Sequence, residues 1–276
     1  MRAAAVQLNS RDDVARNLES AERLVRAAAA DGAELIALPE KWNLLGSGEA
    51  LEAGAEPLDG PSLTAARSWA RELGIELLCG SIAERAPGEE RLFNTSVLIG
   101  PEGSDRATYR KIHMFDVEVE GVAYRESEHE RGGDAIVIAT IAGGIELGLT
   151  VCYDLRFPEL YRILAVRGAR ILTVPSAFTF PTGRDHWEVL LRARAIENQA
   201  FLIAPNQIGE APPHYRSWGH SAIVDPWGAL LAVAPDEECF VATELDFAAQ
   251  DEVREKLPSL ANRRSEAYRW PHEVRA

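Results

Sequence analysis

Short apolar runs alternate with segments of helical periodicity along the first part of the chain. Ala3–Leu8 is an apolar run typical of a buried strand, and residues 14–28 carry apolar side chains at steps of four and three, which is the pattern of an amphipathic helix. A second strand is predicted at Leu35–Leu38, and a second helix begins at Pro61 and ends before Gly74. Strands separated by helices indicate an α/β fold with layers of sheet and helix.

The rest of the chain continues this alternation. Further helices are predicted from about Pro158, near His186–Gln199, and after the last strand to about Leu257. The adjacent strands at 221–245 indicate some antiparallel pairing. The predicted strands, in order, are Ile75–Ile82, Leu92–Ile99, Arg106–Lys111, Ile145–Val151, Ile171–Val174, Phe201–Ala204, Ser221–Val224, Ala229–Ala234 and Phe240–Leu245.

Length and charge restrict the class of protein. A chain of 276 residues that is 46% hydrophobic can bury a large core, so we expect one domain over residues 1–276. The formal net charge of −14 argues against a nucleic-acid partner, because such binding depends on clustered Lys and Arg. There is no N-terminal signal pattern and no apolar run of membrane-spanning length, so we expect a cytoplasmic protein without a membrane partner.

The cysteines and histidines give no sign of a disulfide framework or a metal site. Cys79, Cys152 and Cys239 are widely spaced and form no C-x-x-C pair. The six histidines show no ligand spacing such as H-E-x-x-H, and the glycine motifs of nucleotide-binding proteins are absent from the sequence. We therefore expect no metal and no cofactor, and at least one thiol that is free for chemistry.

Cys152 lies where a strand ends and a helix is about to begin. It follows the apolar run 145–151 and precedes Pro158 and Glu159, which suit a first helical turn. Backbone N–H groups past such a corner can face an oxyanion, and a nearby helix N-terminus favours the thiolate. The alternative is a buried cysteine that packs as a small hydrophobe, a role that Cys79 fits well.

Two charged residues also follow predicted strands. Glu40 ends the run 35–39, where partial burial would raise its pKa towards that of a useful base. Lys111 follows the strand that begins at Arg106, and an ammonium there could stabilise a developing oxyanion. Taken singly, each residue could equally be a solvated charge at a strand end. The two least regular stretches, Lys41–Gly60 and Val117–Gly133, are long enough to be active-site loops.

These segments together resemble the nitrilase superfamily of carbon-nitrogen hydrolases, over nearly the whole chain. Its three catalytic blocks appear in order as Leu38–Glu40, Tyr109–Asp116 and Val151–Leu160. Within the superfamily the chain is most similar to the Nit branch of amidases, on the segments Pro175–Phe178, His186–Glu197, Gly219–Gly228 and the chain end from Leu257 to Tyr268.

The resemblance implies an amidase that works through a cysteine thioester. Cys152 would be the nucleophile, Glu40 the base and acid, and Lys111 with the backbone N–H of Tyr153 would stabilise the oxyanion. Glu126 matches the second glutamate of the family. Two carboxylates that share a site push one pKa upward. The implied fold is a four-layer α-β-β-α sandwich of the α/β class that usually forms homodimers, with residues 257–276 a possible C-terminal arm at the subunit interface.

The implied substrate is a small-molecule amide that carries a carboxylate, such as deaminated glutathione, with 2-oxoglutaramate as the alternative. Arg184 is the first candidate for binding that carboxylate, followed by Arg216 and Arg125. His186 could also contact substrate, or it could anchor the helix that follows.

Other functions stay open at this point. A cysteine hydrolase that uses a histidine base would draw on His186 or His220. Nitrile and carbamoyl hydrolysis use the same Glu, Lys and Cys residues in the superfamily. A non-catalytic interaction protein that retains the fold is the most distant alternative.

Overall fold

Two six-stranded mixed sheets form the centre of the described structure, a computed structural model that covers residues 1–212 and 215–267. The first sheet contains, in spatial order, β16 (Cys239–Glu244), β1 (Arg2–Gln7), β2 (Leu35–Ala37), β3 (Glu76–Glu84), β4 (Phe93–Ile99) and β5 (Asp105–Arg110). The second contains β15 (Leu230–Val233), β14 (Ala222–Val224), β11 (Phe201–Ala204), β10 (Ile171–Thr173), β9 (Ile145–Leu149) and β8 (Ile138–Ile141). Both sheets have three parallel strands at their centre, β1 to β3 and β9 to β11, and antiparallel strands outside them.

Six α-helices and two separate hairpins complete the described part of the chain. The helices are α1 (Val14–Ala30), α2 (Gly48–Gly54), α3 (Pro61–Leu73), α4 (Pro158–Val166), α5 (Phe180–Asn198) and α6 (Phe247–Lys256). The hairpins pair β6 (Asp116–Val119) with β7 (Val122–Arg125), and β12 (Ile208–Ala211) with β13 (Tyr215–Trp218). None of the helices in these ranges is both long and apolar enough to cross a membrane.

The side chains of the first sheet point alternately to two different cores, as strand geometry requires. Ala4, Val6 and Ile36 face α1 and α3 in one core. Ala3 and Ala5 face the second sheet, whose other side is covered by α4 and α5 in the second core. The layers therefore follow the order helix, sheet, sheet, helix, which confirms the predicted four-layer α-β-β-α sandwich.

Most predicted elements are confirmed, with boundaries that shift by a few residues. The helix from Pro61 to Leu73 ends at Gly74, which adopts φ 67° as expected for a glycine after a helix. The helix predicted near His186 begins six residues earlier at Phe180, because Thr179 and Pro181 provide its first turn. Helix α2, strand β8 and the two hairpins were not predicted, since α2 has only seven residues and each of these strands only four, too few to show a clear periodicity.

The C-terminal arm is only partly described. Residues 257–267 follow α6 as a mainly irregular segment with one short 3₁₀ turn at Ser265–Ala267. Residues 268–276 lie outside the described range. The single-domain organisation and the role of this arm at an interface remain predictions.

Gly80 allows the carboxyl end of β2 to lie directly against β3. A Cβ atom at Gly80 would overlap the carbonyl oxygens of Leu38 and Pro39, and the residue has φ 20°. Glu40 follows this point of closest approach in the chain. The absence of a side chain at Gly80 therefore helps to fix the position of Glu40.

We expect Gly80→Ala to lower the free energy of unfolding by about 3 kcal/mol or more, because backbone atoms would have to move. Gly88→Ala is the matched control. Gly88 also has a positive φ, but a Cβ added there would meet nothing within 4 Å, so only about 1 kcal/mol of backbone strain is expected. Urea denaturation measures both changes, and equal losses in the two variants would contradict the steric argument.

Candidate active site

A cavity of about 490 Å³ opens at the carboxyl ends of the central strands of both sheets. Its wall includes Glu40 after β2, Cys152 after β9 and Ala177 after β10. The two irregular stretches that sequence predicted as active-site loops supply much of the remaining wall, from residues 41–51 and 122–130. The volume is within the usual range for a site that binds a small molecule.

Cys152 occupies a strained corner at the bottom of this cavity. Its φ is 48°, a left-handed conformation that is uncommon for a residue with a side chain. Its backbone N–H donates to the carbonyl of Pro175 at 2.9 Å, which holds the corner against the loop after β10. The side chain is 8% exposed and faces the cavity.

The surroundings of Cys152 favour the protonated thiol over the thiolate. Burial and the nearby Glu40 carboxylate raise its pKa well above the usual range, and Lys111 and the Ala177 N–H offset only part of this effect. These effects favour the thiol over the thiolate in the resting site, whereas the sequence predicted that a helix N-terminus would favour the thiolate. Residues 152–156 form only a short 3₁₀ turn before α4, too little to outweigh burial beside a carboxylate. The thiol needs a base.

Glu40 is placed to act on that thiol. Its Oε1 accepts from Lys111 Nζ at 3.0 Å and from Asn94 Nδ2 at 2.8 Å, and its Oε2 accepts from the Ala177 N–H at 2.8 Å. The residue is only 3% exposed. These bonds aim the carboxylate into the cavity and leave it little freedom to rotate.

Lys111 is a buried ammonium between two glutamates. Besides its bond to Glu40, Nζ lies 2.8 Å from both oxygens of Glu126. Burial opposes the charge on Lys111, but Glu126 and Glu40 outweigh it and hold the pKa of Lys111 well above its usual range. Burial likewise opposes the charge on Glu126, but Lys111 and then Lys41 hold the pKa of Glu126 well below its usual range.

A second lysine and a third glutamate lie next to this group. Lys41 Nζ is 3.1 Å from Oε1 and 3.2 Å from Oε2 of Glu130, whose side chain is 1% exposed. Burial and the neighbouring Glu126 raise the pKa of Glu130 above its usual range, although Lys41 opposes this. The group whose pKa rises here, Glu130, is not one of the two carboxyl groups, Glu40 and Glu126, for which the sequence predicted such an effect.

A buried aspartate joins the Lys111 segment to the Cys152 corner. Asp154 Oδ2 accepts from the Tyr109 hydroxyl at 2.6 Å and from the Val151 N–H at 2.9 Å. Its Oδ1 lies 2.7 Å from His113 Nδ1 and accepts from the His113 N–H at 3.2 Å. Because Tyr109 and His113 are both two residues from Lys111, these bonds fix the distance between the ammonium and the thiol.

The structure thus brings together four of the residues predicted from sequence, Glu40, Lys111, Glu126 and Cys152, with the Tyr153 residue adjacent to the thiol. It does not bring the predicted substrate-binding residues to them. Among the described residues, the cavity wall does not include Arg184, His186 or Arg216.

Each of these three residues has a contact elsewhere. Arg184 Nε bonds to the adjacent Asp185 at 2.8 Å and its side chain is 54% exposed. His186 is exposed with Nδ1 3.3 Å from Arg156, and Arg216 stacks over the ring of Phe180 at 3.9 Å. The reason is the early start of α5, which places residues 184–186 on an exposed turn of the helix. Arg125, the other arginine considered from sequence, does line the cavity.

The histidine alternative has little support in the described part of the chain. There, His129 is the one histidine that lines the cavity, and its Nδ1 is 2.7 Å from Glu52. His220 stacks on Trp218 with Nδ1 3.1 Å from that residue's carbonyl. Within residues 1–212 and 215–267, no group of three or more His, Cys, Asp or Glu side chains is arranged to hold a metal ion.

Three residues of the site were missed from sequence: Asn94, Lys41 and Glu130. Asn94 Nδ2 donates to Glu40 and also to Glu126 Oε1 at 3.2 Å, so it spaces the two carboxylates. The available signal for Asn94 was the polar sequence Asn94–Ser96 inside a strand that is otherwise apolar. Lys41 and Glu130 lie in the irregular stretches, where no periodicity indicates which side chains turn inward.

Comparison with known proteins gives a consistent result. The family model described as Carbon-nitrogen hydrolase matches residues 2–255. A protein named deaminated glutathione amidase from Synechocystis sp. is 40% identical over 265 residues, which are 95% of this chain and 97% of that protein. Omega-amidase NIT2 of Homo sapiens is 37% identical over 268 residues, which are 97% of this chain and 96% of that protein.

A solved structure is similar over the same extent. The crystal structure of Saccharomyces cerevisiae Nit3, described as a member of branch 10 of the nitrilase superfamily, superposes with a TM-score of 0.85 at 30% identity. The match covers 94% of this chain and 94% of that chain.

Proposed function

The chain belongs to the carbon-nitrogen hydrolase family and is an amidase, and from this premise we propose that it hydrolyses amides of small carboxylic acids through a thioester on Cys152. One observation carries the proposal: a protonated thiol, a buried carboxylate and a buried ammonium meet in one cavity, on Cys152, Glu40 and Lys111. This is the set of groups that acyl transfer from an amide requires.

The first half of the reaction forms the thioester. Glu40 accepts the proton from Cys152 as Sγ bonds to the amide carbon, and the carbonyl π electrons move to the oxygen. Lys111 and the backbone N–H of Tyr153 stabilise that oxyanion. When the tetrahedral intermediate collapses, the C–N bond breaks, Glu40 returns the proton to the leaving nitrogen, and the amine departs. This amine is cysteinylglycine for deaminated glutathione and ammonia for 2-oxoglutaramate.

The second half reuses the same carboxylate. Water attacks the thioester carbon while Glu40 accepts a proton from it, the C–S bond breaks, and the thiolate of Cys152 regains the proton. Glu126 keeps Lys111 charged and oriented through both halves, because its two oxygens are each 2.8 Å from Nζ. The product is a carboxylic acid.

The substrate class follows from the relatives and from the cationic groups in the cavity. The names of the two relatives point to deaminated glutathione and to ω-amides, so we propose deaminated glutathione as the substrate and 2-oxoglutaramate as the alternative. Arg125 lines the cavity and replaces Arg184 as the candidate that binds the substrate carboxylate. Its Nη1 donates to the carbonyls of Val117 and Tyr124, which holds the guanidinium at the wall.

We propose a homodimer in the cytoplasm for the working enzyme. Large apolar side chains on α5 and at the second sheet's edge are exposed, including Val189 at 68% and Trp227 at 65%, and such side chains are suited to a subunit interface. The free thiols of Cys79, Cys152 and Cys239 agree with a reducing compartment.

Product formation over a panel of deaminated glutathione, 2-oxoglutaramate, one nitrile and one carbamoyl compound tests the proposed activity. The assay measures the free amine of cysteinylglycine released from deaminated glutathione and the ammonia released from the other three compounds. We expect the highest kcat/KM for deaminated glutathione, and at least about a 10³-fold loss in Cys152→Ala because the nucleophile is removed. Cys239→Ala, which removes a partly exposed thiol outside the cavity wall, is the matched control and should keep most of the activity. Preferred turnover of the nitrile, or normal turnover by Cys152→Ala, would refute the proposal.

The carboxylate contact is tested by a pair of arginine variants. Arg125→Ala should raise KM for deaminated glutathione by about tenfold or more, since a charged hydrogen bond contributes about 1.5–3 kcal/mol, and should change KM for an uncharged amide much less. Arg184→Ala removes the same charge outside the cavity wall and should leave both KM values near those of the unmodified enzyme. An equal effect of Arg125→Ala on both substrates would exclude the contact.

A further inference from the structure

Two of the three lysines in the sequence line the cavity. The chain has 29 Lys and Arg residues in all, and its lysines are Lys41, Lys111 and Lys256. Lys111 belongs to the proposed catalytic group and Lys256 lies on the surface, paired with Glu252. Lys41 is buried in the cavity wall, and the proposed mechanism gives it no part.

Lys41 comes directly after Glu40 and turns the chain sharply. It adopts φ 52°, and its backbone N–H donates to Ser81 Oγ at 3.0 Å. The turn sends its side chain to the opposite wall, where Nζ meets both oxygens of Glu130 and lies 3.9 Å from Glu126 Oε1. One residue thus joins the Glu40 corner to the loop that carries Glu126.

That loop is also held by the contacts of Glu126 with Lys111, Asn94 and the Phe115 N–H, and by two backbone hydrogen bonds at Leu92, directly before β4. The Leu92 N–H donates to the carbonyl of His129 at 2.9 Å, and the Arg131 N–H donates to the carbonyl of Leu92 at 2.8 Å. Inside the loop, the Glu130 N–H donates to the Glu126 carbonyl at 2.9 Å. A shift of Glu130 is therefore transmitted to Glu126 through a single turn of backbone.

The charges lead to the same conclusion. Lys111 pairs with Glu40 and Glu126, whereas the ammonium that contacts Glu130 and also lies near Glu126 is that of Lys41. Removing Lys41 would therefore leave buried carboxyl groups without a cationic partner, which is strongly destabilising. Lys41 helps to hold the pKa of Glu126 below its usual range, and Glu130, Glu126 and Glu40 together outweigh burial and keep the pKa of Lys41 raised.

We propose that Lys41 is a positioning residue of the amidase site: through Glu130 it fixes the loop that presents Glu126 to Lys111, and so keeps Lys111 oriented beside the thiol. Lys41 acts through its partners and makes no contact with the reacting atoms. The inference rests on the proposed function, since it assigns Lys41 a part in orienting groups of that reaction.

Steady-state kinetics of Lys41→Met, with Lys256→Met as the matched control, test this role. We expect kcat of Lys41→Met to fall about tenfold to hundredfold, as misplacing a catalytic group by about 1 Å can do, with KM for both an anionic and an uncharged amide within about threefold. Lys256→Met should match the unmodified enzyme. Unchanged kcat in Lys41→Met would overturn the inference. A rise in KM for the anionic amide alone would also overturn it, because this result would mean that Lys41 binds the substrate.

Glu130→Gln provides a second test that does not depend on the folding of Lys41→Met. Because Lys41 acts through Glu130, Glu130→Gln should also lower kcat with little change in KM. For the same reason, the double variant Lys41→Met/Glu130→Gln should lose no more kcat than the single variant that loses more. Losses that multiply in the double variant would overturn the inference. If the unmodified enzyme hydrolyses no amide, the proposed function itself has failed, which is distinguishable from normal kcat in these variants.

Discussion

The structure depends on placing one ammonium group, that of Lys111, in a buried position between two carboxylates. A charge that is 1% exposed is stable only if it is paired and hydrogen-bonded. Glu40 and Glu126 provide that pairing from two different parts of the chain, and Asn94 holds both carboxylates at the correct spacing. The end of β2, the end of β5 and the loop after β7 must therefore meet at one point, and the cavity forms around them.

Strained backbone at two corners makes this meeting possible. Cys152 and Lys41 both adopt left-handed conformations, and each follows a buried strand end closely. Such strain costs about 1–3 kcal/mol per residue and persists only where surrounding bonds enforce it. Here the Pro175 carbonyl and Asp154 hold the first corner, and Ser81 holds the second.

The sequence predicts the parts of the molecule that depend on periodicity and on strand ends. The helix from Pro61 to Gly74 and the residues Glu40 and Cys152 at strand ends could be read directly, because local patterns determine them. Residues whose side chains turn inward from irregular segments could not be predicted in this way. Lys41 and Glu130 form a pair although they are 89 positions apart in the chain, and no local sequence pattern indicates such a pair. Arg184 was misplaced for a related reason, because the earlier start of α5 turned it outward.

The most direct test of the account is mass spectrometry of enzyme quenched in acid during turnover of a small amide, with peptides mapped under conditions that preserve thioesters. The account predicts a mass increase equal to the acyl group of the substrate on the peptide that contains Cys152. It also predicts no such increase on peptides that contain Cys79 or Cys239. An acyl group found on another residue, or full turnover with no acylated peptide at any time point, would contradict it.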